Sequence, residues 1–226
     1  GCASAPAPAR TLSQTPCLDG LPTPPFWGAS HGARIPLAEI RPLLDRKSLF
    51  RVGWGARGAT GEAWSKLEAE FEARLEEMWP ALSLPASGQT KAGLAGGYLE
   101  PQAVYGYFPA QSQGNSVLIY DPAEPEARRE VAHFSFPRQA RGARLCLADY
   151  FAPVEGALLD VIALQVVTVG GGATARFGAL DAAGAYSEAY FVHGLAAQAA
   201  EATAEWMHRH ILRELGLADE RGKRYS

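Results

Sequence analysis

In the stretch 193-HGLAAQAAEATAEWMHRHI-211 a carboxylate, Glu201, and an imidazole, His208, stand two turns apart on what reads as one helix. At about 100° per residue, the strip centred on Glu201 also holds Tyr190, Gly194, Ala197, Ala204, Glu205, Leu212 and Leu215. That strip is nearly bare of bulk. Gly and Ala let another backbone or a ligand come close, so the charged groups project into solvent, toward each other, or into a space that something else fills. The residues alone leave these readings open, because structural ion pairs are common on helices.

Other chemistry is easier to exclude. A serine hydrolase needs a G-x-S-x-G turn between strand and helix, which the chain lacks. A zinc hydrolase needs H-E-x-x-H on a helix; in 207-MHRHI-211, His208 and His210 project about 200° apart and cannot share a metal from one face. His133 falls inside a strand pattern and reads as a sheet residue. The turn 169-VGGGA-173 lacks the G-x-G-x-x-G spacing of a dinucleotide fingerprint. Three cysteines, at positions 2, 17 and 146, give neither a metal-ligand spacing nor a disulfide framework. No catalytic residue and no metal ligand is therefore assigned.

The balance of 21 Lys+Arg against 24 Asp+Glu in 226 residues argues against nucleic acid as a partner. The nearest approach to a basic patch is Arg138, Arg141 and Arg144 in 137-PRQARGARL-145, which reads as a solvated loop. The longest apolar run, 158-LLDVIALQVVTVGG-171, is broken by Asp160 and Gln165 and is too short to cross a bilayer, so no membrane partner is expected. A soluble, cytoplasmic protein fits this composition and the unpaired cysteines.

The elements follow from periodicity. Residues 1–24 are rich in Pro, Ala, Thr and Ser and read as a linker, with order expected to begin at 24-PPFWG-28. A short helix is predicted over 36–44, with Asp45 capping a second short turn. From 62 to 79, Trp64, Leu67, Phe71, Leu75, Met78 and Trp79 recur at helical spacing, and Pro80 is expected to end the helix. Runs 103-AVYGYFP-109, 116-SVLIYD-121 and 131-VAHFSF-136 read as antiparallel strands, 145-LCLADYF-151 as a short helix or turn, and 159–169 as a long buried strand. Helices are predicted over 174–180 and 186–215, with Gly216 as the stop. Helices, then a sheet, then helices make an α+β fold.

Several phrases resemble the C-terminal activation domain of cobalamin-dependent methionine synthase: 42-PLLDRKSLF-50, 105-YGYFPA-110, 119-IYD-121, 134-FSFPRQ-139, 145-LCLADYFAP-153, 160-DVIALQVVTVG-170, 193-HGLAAQAAEATAEWMHRHI-211 and 222-GKRYS-226. They occur in the family's order and cover most of residues 25–226. The resemblance implies a single C-shaped α+β domain, a bent antiparallel sheet flanked by helices, following the linker 1–24. It implies a module of a methyltransferase that binds S-adenosylmethionine and helps return oxidised cobalamin to service: flavodoxin or a similar reductase gives an electron, and S-adenosylmethionine gives a methyl group. The partners implied are the cobalamin-binding domain of the same enzyme and that reductase, and no turnover is expected of the module alone.

By the same resemblance Asp45 in LLDRK and Glu201 in AAEATAE are the acidic contacts to the ligand, and Arg224 in GKRYS is the basic one. These types suit a zwitterionic amino acid, whose ammonium pairs with carboxylates and whose carboxylate pairs with a guanidinium. The family motif continues as R-x-x-x-G-Y-P-A-C-P, and this sequence ends at Ser226, so a C-terminally incomplete domain is expected. Flavodoxins are acidic, which makes Arg138, Arg141 and Arg144 the expected docking residues. The alternative is a non-catalytic docking protein of the same fold, for a cobalamin domain or flavodoxin; the joint presence of Asp45, Glu201 and Arg224 favours the ligand-binding module.

Overall fold

The computed structural model describes residues 21–30, 32–82 and 97–217. It divides into two compact units, one of residues 31–105 and 165–211, the other of residues 1–30, 106–164 and 212–226.

The first unit is mainly helical. Pro36, extended at φ −60 and ψ 132, leads into α1 (Leu37–Ile40), and a 3-10 turn over Arg41–Leu43 continues it. Together they bury Ile40 and Leu44. Asp45 caps α2 (Arg46–Ser48), which widens into a π-helical turn over Leu49–Gly53. Helix α3 spans Gly61–Leu82, so Pro80 does not end it as expected. Proline here removes one N–H in the last turn, and the burial of Trp79 and Leu82 on either side holds the helix together. After α4 (Gly172–Ala182) comes α5 (Tyr186–Glu214), most of which belongs to this unit.

An aromatic core joins these helices. Trp54 stacks on Phe50 at 5.3 Å and meets Phe71 and Phe191 edge-on at 5.4 and 5.0 Å. Removing a ring of this size from water contributes on the order of 2–3 kcal/mol. Gly194 permits the closest approach: a Cβ there would stand 2.8 Å from the carbonyl oxygen of Gly53 and from the Trp54 ring. The turn over 49–54 therefore lies directly on α5, fixed by Trp54 Nε1 donating to the Phe191 carbonyl at 3.1 Å. Short strand β2, numbered after β1 (Gly28–Ala29), spans Ala33–Arg34 and pairs Ala33 with Ala103 on the long strand β3 (Gln102–Gln113).

The second unit is built on sheet. β1 pairs with β3 at Gly28–Tyr107 and Ala29–Gly106, and Phe26 packs edge-on against the buried Tyr107 at 5.2 Å. Phe26 thus anchors the start of the chain's order to the sheet, while Trp27 is 38% exposed. β3 turns at Gly114, φ 61, into β4 (Ser116–Tyr120), which pairs with β5 (Glu130–Ser135) across a bulge at Ile119/Tyr120. β1, β2 and β4 pair antiparallel with β3, and β5 pairs antiparallel with β4; β6 (Asp160–Thr168) adds to β3, completing a six-stranded sheet. β6 is less buried than its composition predicts: Asp160 is buried, but Val166 is 74% exposed. Antiparallel sheets commonly keep one face in water, and apolar content alone does not say which. Ala110, Val117, Cys146 and Ala148 form the core here, packed by Phe136, Phe151 and Ile162.

Candidate functional site

Asp45 lies in the helical unit, on the surface, where its local job is clear. Its Oδ1 accepts from the Ser48 backbone N–H at 3.0 Å and its Oδ2 from the Ser48 hydroxyl at 2.8 Å, an N-cap that satisfies an otherwise orphaned amide.

Glu201 lies mid-way along α5 and is exposed. The buried face of that helix centres on Val192, Leu195, Ala199 and Met207, about 120° or more round the cylinder from Glu201. Thr203 on the same buried face donates its hydroxyl to the Ala199 carbonyl at 2.6 Å. The strip around Glu201 is the outward one: Tyr190, Ala197 and His208 are exposed and Ala204 is half-buried. Gly194 is the buried exception, because Gly53 rests on it. Glu205 on this strip is occupied by Arg209 at 2.7 Å. Glu201 makes no hydrogen bond or ion pair with any described residue, so of the readings left open a meeting with His208 is not the one the fold adopts.

The two acids are bracketed by the same contacts. The chain that carries Asp45 touches α5 at Gly53 against Gly194 and again where Glu39 accepts from Trp206 Nε1 at 2.7 Å. Glu201 lies seven residues after Gly194 and five before Trp206, roughly 10 and 8 Å along the helix axis. Sequence reading did not anticipate either tie. The glycine pair carried the only signal, as two small residues far apart in sequence. Arg224 lies outside the described residues.

His210, the last of the three histidines of the helix, points elsewhere. Its Nε2 is 3.2 Å from the Tyr105 hydroxyl, and its ring stacks on Trp206 with an interplanar angle of 8°. His133, on β5, is exposed and bonded to Glu130 at 2.9 Å. Among the described residues no group of three or more His, Cys, Asp or Glu is placed to hold a metal ion. No described helix is long and apolar enough to cross a membrane.

The arginine loop of the sheet unit departs from expectation. Arg138 is turned inward, its side chain only 10% exposed, and binds Asp149, 2% exposed, through two bonds of 2.6 and 2.7 Å. It also donates to the Arg144 carbonyl at 2.7 Å and to Asn115 Oδ1 at 3.0 Å. The bonded Asp149 carboxylate raises the Arg138 pKa above its already high ordinary value. Arg138 is thus a structural brace and is withdrawn as a docking residue; Arg141 and Arg144 remain exposed.

The fold is an α+β module with an open antiparallel sheet, and Asp45 and Glu201 are both exposed on its helical unit. Comparison makes the family specific. Residues 36–222 match the family described as "Vitamin B12 dependent methionine synthase, activation domain", and the chain belongs to it. The match includes Asp45 and Glu201 and stops short of Arg224. Methionine synthase of Mycobacterium tuberculosis (strain ATCC 25618 / H37Rv) is 36% identical over 209 residues, and that of Mycobacterium leprae (strain TN) is 34% identical over 209 residues. Each comparison takes in 89% of this chain but only 17% and 16% of the relative, so the chain spans about a sixth of their length. The fold is shared with a solved structure described as "Crystal Structure of the MetH Reactivation Domain bound to AdoHcy": TM-score 0.70, 24% identity, 91% of this chain and 61% of that one.

Proposed function

We propose that the chain is the S-adenosylmethionine-binding reactivation module of a cobalamin-dependent methionine synthase, in which Glu201 and Asp45 hold the ligand's ammonium and Arg224 its carboxylate. The observation that carries this reading is Glu201: a carboxylate without a partner among the described residues, on a strip of small residues, flanked by the two contacts that bring the Asp45 segment onto α5. An ammonium is the natural complement of such a group, and a charge-assisted bond is the stronger kind. Asp45 fits the same role because its cap to Ser48 fixes the carboxylate in place before a ligand arrives. The family match and the fold shared with a domain solved with AdoHcy support the choice of ligand.

Methyl transfer from a sulfonium is an in-line displacement and asks no nucleophile or base of the protein, so this chain's residues bind and orient. Cobalamin, held by another domain of the same enzyme, supplies the methyl acceptor, and flavodoxin or a similar reductase supplies the electron. Calorimetry with S-adenosylmethionine tests the reading. Glu201→Gln should weaken binding roughly tenfold, the loss of one charged hydrogen bond. Continuing the chain through the G-Y-P-A-C-P part of the motif should strengthen binding at least about tenfold, and Arg224→Ala should undo much of that gain. Equal affinity in all four proteins would mean that the ligand sits elsewhere.

A further inference from the structure

In the helical unit a line of side-chain contacts runs from β3 across α5 and ends on the segment that carries Asp45. The Tyr105 hydroxyl on β3 lies 3.2 Å from His210 Nε2. The His210 ring stacks on the Trp206 ring, with centroids 5.4 Å apart and an interplanar angle of 8°. Four residues apart on α5, the two rings share one face of the helix. Trp206 Nε1 then donates to Glu39 Oε2 at 2.7 Å. An indole has one polar hydrogen and no acceptor, so a stack that fixes the plane of the ring also limits where that donor can point.

The far end of the line bears on the ligand site. Glu39, on α1, comes six residues before Asp45, and Gly53 comes eight after it. Gly53 rests on Gly194, seven residues before Glu201, and Glu39 is bonded to Trp206, five residues after Glu201. In between, Arg41 and Arg46 pair with Glu76 and Glu72 on α3. The segment is thus set on α5 from both ends. At the Gly53 end two backbones pack against each other; at the other end a side-chain hydrogen bond holds, beside the burial of Ile40 and Leu44.

We infer that Trp206 is a positioning residue of the ligand site: by holding Glu39 it keeps Asp45 in register with Glu201 before an ammonium arrives. The inference rests on the ligand reading given above and adds to it a residue that acts through Asp45. Glu39 is exposed, so its carboxylate is solvated once released, and the loss falls on the position of the segment more than on the stability of the fold. A ligand that needs both acids in place binds in proportion to the population in which they are placed.

Calorimetry with S-adenosylmethionine, on the chain continued through the G-Y-P-A-C-P part of the motif, is the test. Trp206→Phe keeps a ring to stack on His210 and removes the donor; affinity should fall roughly fivefold. Glu39→Ala should match that loss and leave the urea midpoint nearly unchanged. Glu39→Gln, whose amide oxygen still accepts from Nε1, should keep the unaltered affinity, which separates the bond from the charge. Asp45→Asn preserves the cap and removes the carboxylate. In that background Trp206→Phe should add less than about a twofold loss, because its effect runs through Asp45. Equal losses with and without Asp45→Asn, or equal losses for Glu39→Gln and Glu39→Ala, overturn the inference. Unchanged affinity in Trp206→Phe and Glu39→Ala, while Asp45→Asn and Glu201→Gln weaken binding, overturns it and leaves the ligand reading standing. Unchanged affinity in Asp45→Asn and Glu201→Gln, or no binding by the unaltered chain, overturns both. Should Trp206→Phe not fold, the two Glu39 variants decide.

Discussion

Glu201 on α5 and Arg138 on the loop after β5 look alike in sequence, each a charge among small residues, yet the fold treats them in opposite ways. Glu201 stands exposed with no partner among the described residues; Arg138 is drawn in and fully engaged by Asp149, Asn115 and the Arg144 carbonyl. A helix fixes every side chain's direction once its apolar face is known, because the cylinder has one phase. A loop has no phase, and whether its charge faces water depends on what stands beneath it. Asp149 is that partner: it also caps the Cys146 amide at 3.0 Å at the start of the 3-10 turn over Leu147–Tyr150.

The contrast can be broken from the inside of the helix first. Leu195→Ala, at a fully buried position on the face opposite Glu201, should cost roughly 2–5 kcal/mol by urea unfolding. A cost below about 0.5 kcal/mol, the usual size of a surface change, would mean that the phase assigned to α5 is wrong. For the loop, Asp149→Ala should lower the urea midpoint clearly, since Arg138 would be left without its carboxylate, whereas Arg141→Glu with Arg144→Glu should hardly move it. Equal effects would erase the distinction between brace and surface.

Tyr98 offers a pH handle on the helical unit. Burial pushes its phenol up to about 12 from an ordinary 10.0. The phenolate is disfavoured only in the folded state, so the unfolded chain loses its proton first as pH rises. Stability should be whole below pH 10 and fall as pH climbs toward about 12. Tyr98→Phe should flatten that part of the stability profile; an unchanged alkaline limb would show that another group governs it. The smallest effect is expected at the site itself. Glu201→Gln should change stability by no more than about 0.5 kcal/mol, since no described residue relies on that carboxylate. A larger loss would reveal a structural partner and weaken its assignment to a ligand.

Much of the fold was legible. Recurrence at 3, 4 and 7 residues located α3 and α5, alternation and turn residues located β3, β4 and β5, and Asp45 announced itself as a cap by standing just before a short helix. Pro80 misled because a proline in the last turn costs little when its neighbours are buried. β6 misled because an apolar strand reads the same whether one face or both are covered. Of the site, Asp45 and Glu201 could be named by resemblance, but the ties that set the Asp45 segment on α5 could not.

Local chemistry is written in the sequence because it acts over a few residues: periodicity sets which face of α5 is apolar, and a side chain three residues from an amide sets a cap. Contacts such as Gly53 on Gly194, Trp206 on Glu39 and Arg138 on Asp149 join residues 141, 167 and 11 positions apart. Their existence depends on how whole elements pack, through backbone approach, burial and geometry that no single stretch encodes. The sequence by itself determined which charges could matter; only the tertiary structure decided that Glu201 stays unpaired among the described residues and that Arg138 does not.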